Sequence, residues 1–240
     1  MKYLLLLLFI WEFLCFSLSI PSYLLPAPSS IIKSLFIDGP LIFSHSWSSI
    51  SEIISGLFFA FIFSTFTVFI AIRFPFFQKF LKAFIVGLQS FPTFSLIPIF
   101  ALWVGHGLSS KIIAVSLSCF FPIASSLLDG MLRVPKQYRN LVHLMGEGAK
   151  YKNILIHIYI PVALPVFMSG FRIASVHAPI TVIAAEWISS SGGLGYLIML
   201  SGGRLEMELM FACLFVLCSL SYLFYYSIQF IDKKIVFWER

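Results

Sequence analysis

Charged residues are scarce in this sequence. Asp, Glu, Lys and Arg make up 11% of the 240 residues, whereas roughly a quarter of the residues in a soluble domain are charged. Hydrophobic residues make up 60%, compared with about half in a soluble domain. A soluble core cannot bury that excess of apolar side chains. Since a helix needs about 20 apolar residues to cross the hydrocarbon layer, we predict an all-α polytopic membrane protein with about six transmembrane helices. The remaining length leaves no room for a second, soluble domain, so residues 1–240 should form a single transmembrane domain.

The sequence also lacks the motifs of nucleotide, zinc and thiol chemistry. It contains no G-x-x-x-x-G-K-[ST] and no H-E-x-x-H, so neither a phosphate-binding loop nor a zinc-protease helix is indicated. The five histidines have no metal-ligand spacing, and the four cysteines lie in apolar runs without a C-x-x-C pair, which is typical of small hydrophobic residues. We therefore expect no enzyme activity, cofactor or metal in this chain, and expect any ATP to be bound by a partner subunit.

Six apolar stretches are long enough to be membrane spans. They are residues 3–20, 53–72, 84–104, 112–128, 165–188 and 209–231. The first stretch could instead be a secretory signal peptide, because Met1-Lys2 precedes a run of leucines, although its apolar length exceeds that of a usual signal core. Glu12 lies in the middle of this stretch and should face protein, since a lone carboxylate in lipid is costly.

The positions of the basic residues predict the orientation. Twelve of the sixteen lie in the two termini and in the loops that follow the second and fourth spans, and cytoplasmic loops carry an excess of Lys and Arg. Only Lys33, Lys111 and Arg204 lie in the opposite loops, and Arg172 lies within a span. Both termini should therefore lie in the cytoplasm of a bacterial cell, with the protein in the inner membrane. The net charge of +6 reflects this topology, so nucleic acid is not an expected partner.

The third span contains two prolines, Pro92 and Pro98, and it ends near Trp103. Prolines leave backbone carbonyls that neighbouring helices, hydroxyl groups or water must satisfy. We expect this span to be broken and buried beside a pathway. A simple packing kink is the alternative explanation.

Ionisable residues inside a span are candidates for a site or a lined cavity. The fifth span contains Arg172, His177 and Glu186. The structural alternative is that Arg172 extends to the cytoplasmic interface or bonds helix-end carbonyls, and that Glu186 meets interfacial water. A glycine-rich stretch follows the span and should form a turn or an outer gate. Our candidates for a translocation path or gate are residues of the third span, the fifth span and this stretch: Pro92, Pro98, Trp103, Arg172, Glu186, Trp187, Gly193 and Gly195.

The segment 129–161 is a long loop on the predicted cytoplasmic side, and its short amphipathic stretch could either contact a partner or lie as a surface helix on lipid headgroups. It resembles the signature of binding-protein-dependent ABC permeases, which runs E-A-A, three residues, G, nine residues, I-x-L-P. Gly148, Ile158 and Pro161 fit this register, but Val142-His143-Leu144 occupies the E-A-A positions. The resemblance implies a segment that couples the permease to its ATPase, here assigned to Leu144, Glu147, Gly148, Ala149, Ile158 and Pro161.

The resemblance extends over about 200 residues and points to a subgroup. Gly170-Phe171-Arg172-Ile173-Ala174, Ala185-Glu186-Trp187 and Gly193-Leu194-Gly195-Tyr196 are similar to permeases for nitrate, sulfonates, taurine and pyrimidine precursors of thiamine. Phe121-Pro122 with Glu186-Trp187 looks closest to the hydroxymethylpyrimidine group. The resemblance implies a type I ABC importer: a homodimer in the bilayer, with two ATPase subunits and an external solute-binding protein.

Two other classes of protein compete with this interpretation. A polytopic membrane enzyme would use Arg172, His177 and Glu186, but the sequence supplies no nucleophile with a nearby base and no metal-ligand set. A secondary transporter driven by an ion gradient would predict inverted repeats, and none is apparent between the first and last three spans.

Overall fold

A computed structural model describes residues 2–134, 155–189 and 192–239. These ranges are helical and contain no strand. The elements in chain order are α1 (Lys2–Ser17), α2 (Pro28–Ile37), α3 (Gly39–Arg73), α4 (Pro75–Gln89), a 3-10 turn (Thr93–Leu96), α5 (Ile97–Val104), α6 (Leu108–Leu132), a π-helical turn (Leu155–Tyr159), α7 (Ile160–Ser189), α8 (Leu194–Gly203), α9 (Met207–Ile235) and a closing 3-10 turn (Phe237–Glu239).

Four of the described helices are long and apolar enough to cross a membrane. They are Gly39–Arg73, Leu108–Leu132, His157–Ile188 and Met207–Ile235, and the bent pair Pro75–Gln89 with Thr93–Val104 could form a fifth span. The all-helical fold is confirmed, but the first of the six predicted spans is a helix of only 16 residues. At about 1.5 Å per residue such a helix is about 24 Å long, shorter than a hydrocarbon layer of about 30 Å.

The second span begins earlier than predicted. Helix α3 starts at Gly39, whereas the prediction started at residue 53 because 44–52 contains five serines and Glu52. A serine hydroxyl can donate a hydrogen bond to the backbone carbonyl one turn earlier, so it finds a partner within its own helix. Ser46 does this, donating to the Ile42 carbonyl at 2.7 Å.

The predicted break in the third span is confirmed. Helix α4 ends at Gln89, and the chain turns by 90° before α5. The expected burial is wrong within this chain, because Pro92 and Pro98 are both exposed. Helix α4 is attached to the core through Leu81 and Ile85, and the sharp turn carries both prolines outward.

Helices α3, α6 and α7 form the centre of the bundle through close contacts at small residues. A Cβ on Gly130 of α6 would lie 2.8 Å from the Ala163 carbonyl oxygen of α7, and a Cβ on Gly56 would collide with Val115. Such small residues let helix backbones approach in a membrane, where packing rather than the hydrophobic effect drives association.

Glu12 does face the protein, as predicted. Its carboxylate accepts hydrogen bonds from the backbone N–H of Ser29 at 3.0 Å and the Ser29 hydroxyl at 2.7 Å. Ser29 lies in the first turn of α2, so Glu12 places a negative charge at the positive end of that helix.

Helix α8 lies against α3, α7 and α9. Its side chains Leu194, Leu197 and Ile198 pack with Ile42 of α3 and Cys213 of α9 in one buried cluster. This packing places the first turn of α8 beside the N-terminal part of α3 and the C-terminal end of α7.

Candidate functional site

A buried ion pair joins α3 to α6. The Lys111 ammonium contacts Glu52 Oε1, and the two side chains are 6% and 0% exposed. Ser48, one turn before Glu52, donates a weaker hydrogen bond of 3.4 Å to the same oxygen. Two charges removed from water are costly unless they compensate each other, so this pair fixes the relative position of its two helices.

Glu186 joins the same end of the bundle from α7. Its carboxylate accepts a hydrogen bond of 2.6 Å from the Ser49 hydroxyl and one of 2.5 Å from the Gly195 backbone N–H. The side chain is fully buried. The alternative in which Glu186 meets interfacial water is therefore wrong, because α8 folds back over the end of α7 and covers it.

Side chains of α3 and α7 cap the first turn of α8. The Gly193 N–H donates to His45 Nδ1 at 3.0 Å and the Leu194 N–H donates to the Ser49 hydroxyl at 2.8 Å, beside the bond from Gly195 to Glu186. The first N–H groups of a helix have no partner within the helix, and a carboxylate at this end is favourable. We call His45, Ser49, Glu52, Lys111 and Glu186 the outer cluster.

The glycines of the predicted turn are required by this geometry. Gly193 has φ +103° and ψ 167°, a backbone region that is essentially restricted to glycine. A Cβ there would also collide with the Glu186 carboxylate. At Gly195 a Cβ would lie 2.8 Å from the Ile183 Cα. The stretch is a turn that brings α8 onto α7.

The outer cluster is suited to positioning rather than to chemistry. Its carboxylates and ammonium engage one another or helix N–H groups, and within the described ranges no group of three His, Cys, Asp or Glu could hold a metal ion. The three helices α3, α6 and α7 and the turn before α8 are thereby held at one end of the bundle. This end is the one predicted to face away from the cytoplasm.

A second feature is an open groove of about 620 Å³ near the middle of the bundle. It lies between the break after α4 and the facing sides of α6 and α7. Its polar lining residues are Gln89, Thr93, Ser118, Ser125, Ser126 and His177, and its aromatic ones are Phe91, Phe94 and Phe121. Pro92, Pro122 and Ile173 complete the lining. We call it the polar groove.

The candidate path residues are thus distributed over several places. Pro92 lines the polar groove, whereas Pro98 lies in the first turn of α5 and Trp103, near the end of α5, is exposed. Trp187 is half-exposed at the end of α7. Arg172 forms an ion pair of 3.4 Å with Asp232 of α9, far along α7 from Glu186.

The predicted coupling segment is only partly described. Ile158 lies in the π-helical turn and Pro161 in the first turn of α7, both half-buried. Leu144, Glu147, Gly148 and Ala149 lie outside the described residues.

A protein-family model described as "Binding-protein-dependent transport system inner membrane component" matches residues 56–237. The chain belongs to this family. Among relatives of the permease is a probable ABC transporter permease protein of Haemophilus influenzae, 32% identical over 96% of this chain and 93% of the relative. Another is the formylaminopyrimidine transport permease protein ThiX of Halalkalibacterium halodurans, 28% identical over 98% of this chain and 94% of the relative.

The fold of the permease is also found in a solved structure. Inward-facing MetNI, a methionine ABC transporter, contains a chain that aligns with a TM-score of 0.66 at 21% identity, covering 82% of this chain and 96% of that one. The expected type I importer fold is confirmed by this likeness.

Sequence reasoning missed most of the outer cluster of the permease. The basic-residue pattern places Lys111 in a loop, and no sequence motif assigns a role to Glu52, Ser49 or His45. The available signal was the opposite charge of Glu52 and Lys111, each of which directly precedes a predicted span on the same predicted side of the membrane. Such pairing is expected of charges near the membrane interior.

Proposed function

We propose that this permease forms the translocation path of an ATP-driven ABC importer for a pyrimidine precursor of thiamine. The family match over 56–237 carries the importer assignment. The solute assignment is supported by the alignment with the formylaminopyrimidine permease over almost the full length of both chains. The resemblance of Phe121-Pro122 and Glu186-Trp187 to hydroxymethylpyrimidine permeases points in the same direction. Sulfonate, taurine or nitrate is the alternative solute class.

The permease requires partners in this proposal. Two copies of a separate ATPase bind ATP and contact the segment around Gly148, and a periplasmic or extracellular binding protein delivers the solute. The polar groove is open on one side, so a second copy of the chain would supply the opposite wall of the path. ATP is thus used by a partner, and the permease itself is not an enzyme.

The proposed orientation predicts which cysteines an impermeant reagent can reach. Lys79 and Arg204 are both exposed and lie on opposite sides in the proposed topology. In intact cells an impermeant maleimide should label Arg204→Cys and not Lys79→Cys, and both should react after permeabilisation. The parent chain is measured alongside because Cys218 is exposed. Labelling of Lys79→Cys alone in intact cells would reverse the topology.

The solute assignment predicts a growth phenotype. A strain that cannot make the thiamine pyrimidine but can use external hydroxymethylpyrimidine should lose that growth when this permease is deleted, and regain it on complementation. Growth on taurine or another sulfonate as sulfur source serves as the matched control and should not change. If the deletion abolishes sulfonate use and spares growth on hydroxymethylpyrimidine, the alternative solute class is correct.

A further inference from the structure

The polar groove has the character of a water-filled cavity rather than of a lipid-facing surface. Ser118 and Ser125 lie on α6 and His177 lies near the middle of α7, well inside two of the membrane-spanning helices. Polar and ionisable side chains at that depth face a protein interior or a water-filled cavity, because lipid cannot hydrate them. The groove volume of about 620 Å³ is within the typical range of roughly 300–1,000 Å³ for small-molecule sites.

The groove offers hydrogen-bonding groups from both helices. Pro122 lies inside α6, and because proline has no N–H it cannot complete the helical bond to the carbonyl of Ser118. The Ser118 hydroxyl accepts a bond of 3.0 Å from Thr181 of α7, which holds the two helices in register at this level. The hydroxyls of Ser125 and Ser126 and the imidazole of His177 add groups that can donate or accept.

Aromatic side chains supply the apolar walls. Phe91 and Phe94 flank the break after α4, and Phe121 reaches the groove from α6. Phenyl rings stack on other planar rings in offset or edge-to-face arrangements. A flat solute with polar substituents would match both parts of this lining.

The lining excludes one class of solute by its charge. None of the described residues that line the groove is Asp, Glu, Lys or Arg. The charged residue of α6 nearest the groove is Asp129, an exposed acidic residue one turn beyond Ser125, which offers an anion no cation. The basic residues Arg172 of α7 and Lys111 of α6 are paired with Asp232 and Glu52. A sulfonate or nitrate anion in the groove would lose its hydration without gaining a cationic partner, which is costly.

We infer that the polar groove is a solute subsite in the membrane, selective for an uncharged aromatic heterocycle with amino or hydroxyl substituents. This inference rests on the proposed function and adds to it that the permease itself selects among solute classes. Selection at the groove would follow, and not replace, selection by the external binding protein.

A second groove on the other side of α6 provides the control. It is lined mainly by apolar residues of α3, α4 and α6, among them Phe63, Phe84 and Ile113, with Ser116 at its edge. The Ser116 hydroxyl is bonded to the carbonyls of Ile112 and Gly56. A cysteine at Ser116 thus reports on an apolar face of the same helix.

The test is protection of a cysteine by solute in the assembled complex. Cys15, Cys119, Cys213 and Cys218 are first replaced by serine or alanine, and Ser125→Cys or Ser116→Cys is introduced. A small water-soluble thiol reagent should label Ser125→Cys and not Ser116→Cys. Hydroxymethylpyrimidine should slow labelling of Ser125→Cys at least severalfold, and taurine at the same concentration should not. Both solutes are added without binding protein, so that protection reports on the permease.

Each other outcome overturns the inference. Equal protection by taurine shows that the groove does not select by charge. Labelling that neither solute slows indicates a water path without a subsite, and absence of labelling at Ser125→Cys indicates a face covered by lipid or protein. If growth on hydroxymethylpyrimidine depends on the permease while protection fails, only the groove inference is wrong. If that growth does not depend on the permease, the proposed solute is wrong.

Discussion

Lys111→Met is expected to destabilise the permease by about 3–5 kcal/mol, the usual cost of removing one partner of a buried ion pair. The replacement has a similar shape but leaves the fully buried Glu52 carboxylate without its cation. The loss should appear as a large decrease in the apparent melting temperature of the purified protein in detergent.

Two variants distinguish the ion pair from a general effect of removing a lysine. Lys33→Met changes an exposed residue of α2 and should melt like the parent. Adding Glu52→Gln to Lys111→Met removes the uncompensated charge and should recover much of the loss, since neutral replacements of a buried pair are often tolerated. A Lys111→Met protein that melts like the parent would show that the pair does not hold α3 against α6.

Gly193→Ala is expected to have the second large effect. The residue would have to adopt a backbone region that costs a non-glycine residue about 1–3 kcal/mol. Its methyl group would in addition collide with the Glu186 carboxylate, and overpacking typically costs about 1–3 kcal/mol. The first turn of α8 should detach from Glu186, which lowers the yield of folded protein and the rate of uptake per folded complex.

Gly203→Ala provides the matched control at the other end of α8. A Cβ at Gly203 would meet nothing within 4 Å, and alanine favours a helix by about 1 kcal/mol over glycine. This variant should fold and transport at least as well as the parent. If Gly193→Ala behaves like Gly203→Ala, the turn does not depend on the glycine, and the capping role of Glu186 loses its support.

Local sequence signals predicted the long helices and the broken span. The apolar runs that form α6, α7 and α9 end at charged residues or glycines. The break between α4 and α5 follows from Pro92. These features depend on residues that are neighbours in the chain, so periodicity and composition are sufficient to find them.

The outer cluster could not be predicted in the same way. Glu52 and Lys111 are 59 positions apart, and Ser49 and Glu186 are 137 apart. Close contacts such as those of Gly56 with Val115 and of Gly130 with Ala163 determine which faces of neighbouring helices pack together. A pattern of single residues does not encode these pairings, and α8 was too short to be recognised as the element that covers Glu186.

The coupling segment stays a prediction. Its register with Gly148, Ile158 and Pro161 is based on resemblance, and the residues around Gly148 lie outside the described ranges. Val142-His143-Leu144 replaces E-A-A in the part of the segment that is expected to contact the ATPase.

The central claim is that this chain is the path of an ATP-driven importer, and uptake into proteoliposomes tests it most directly. The permease, its ATPase and its binding protein are reconstituted together, and radiolabelled hydroxymethylpyrimidine is presented with the binding protein on the outer face. Accumulation should require ATP inside the vesicles and the binding protein outside, and should persist when ion gradients are collapsed. Accumulation that follows an ion gradient and proceeds without ATP would contradict the account and identify a secondary transporter instead.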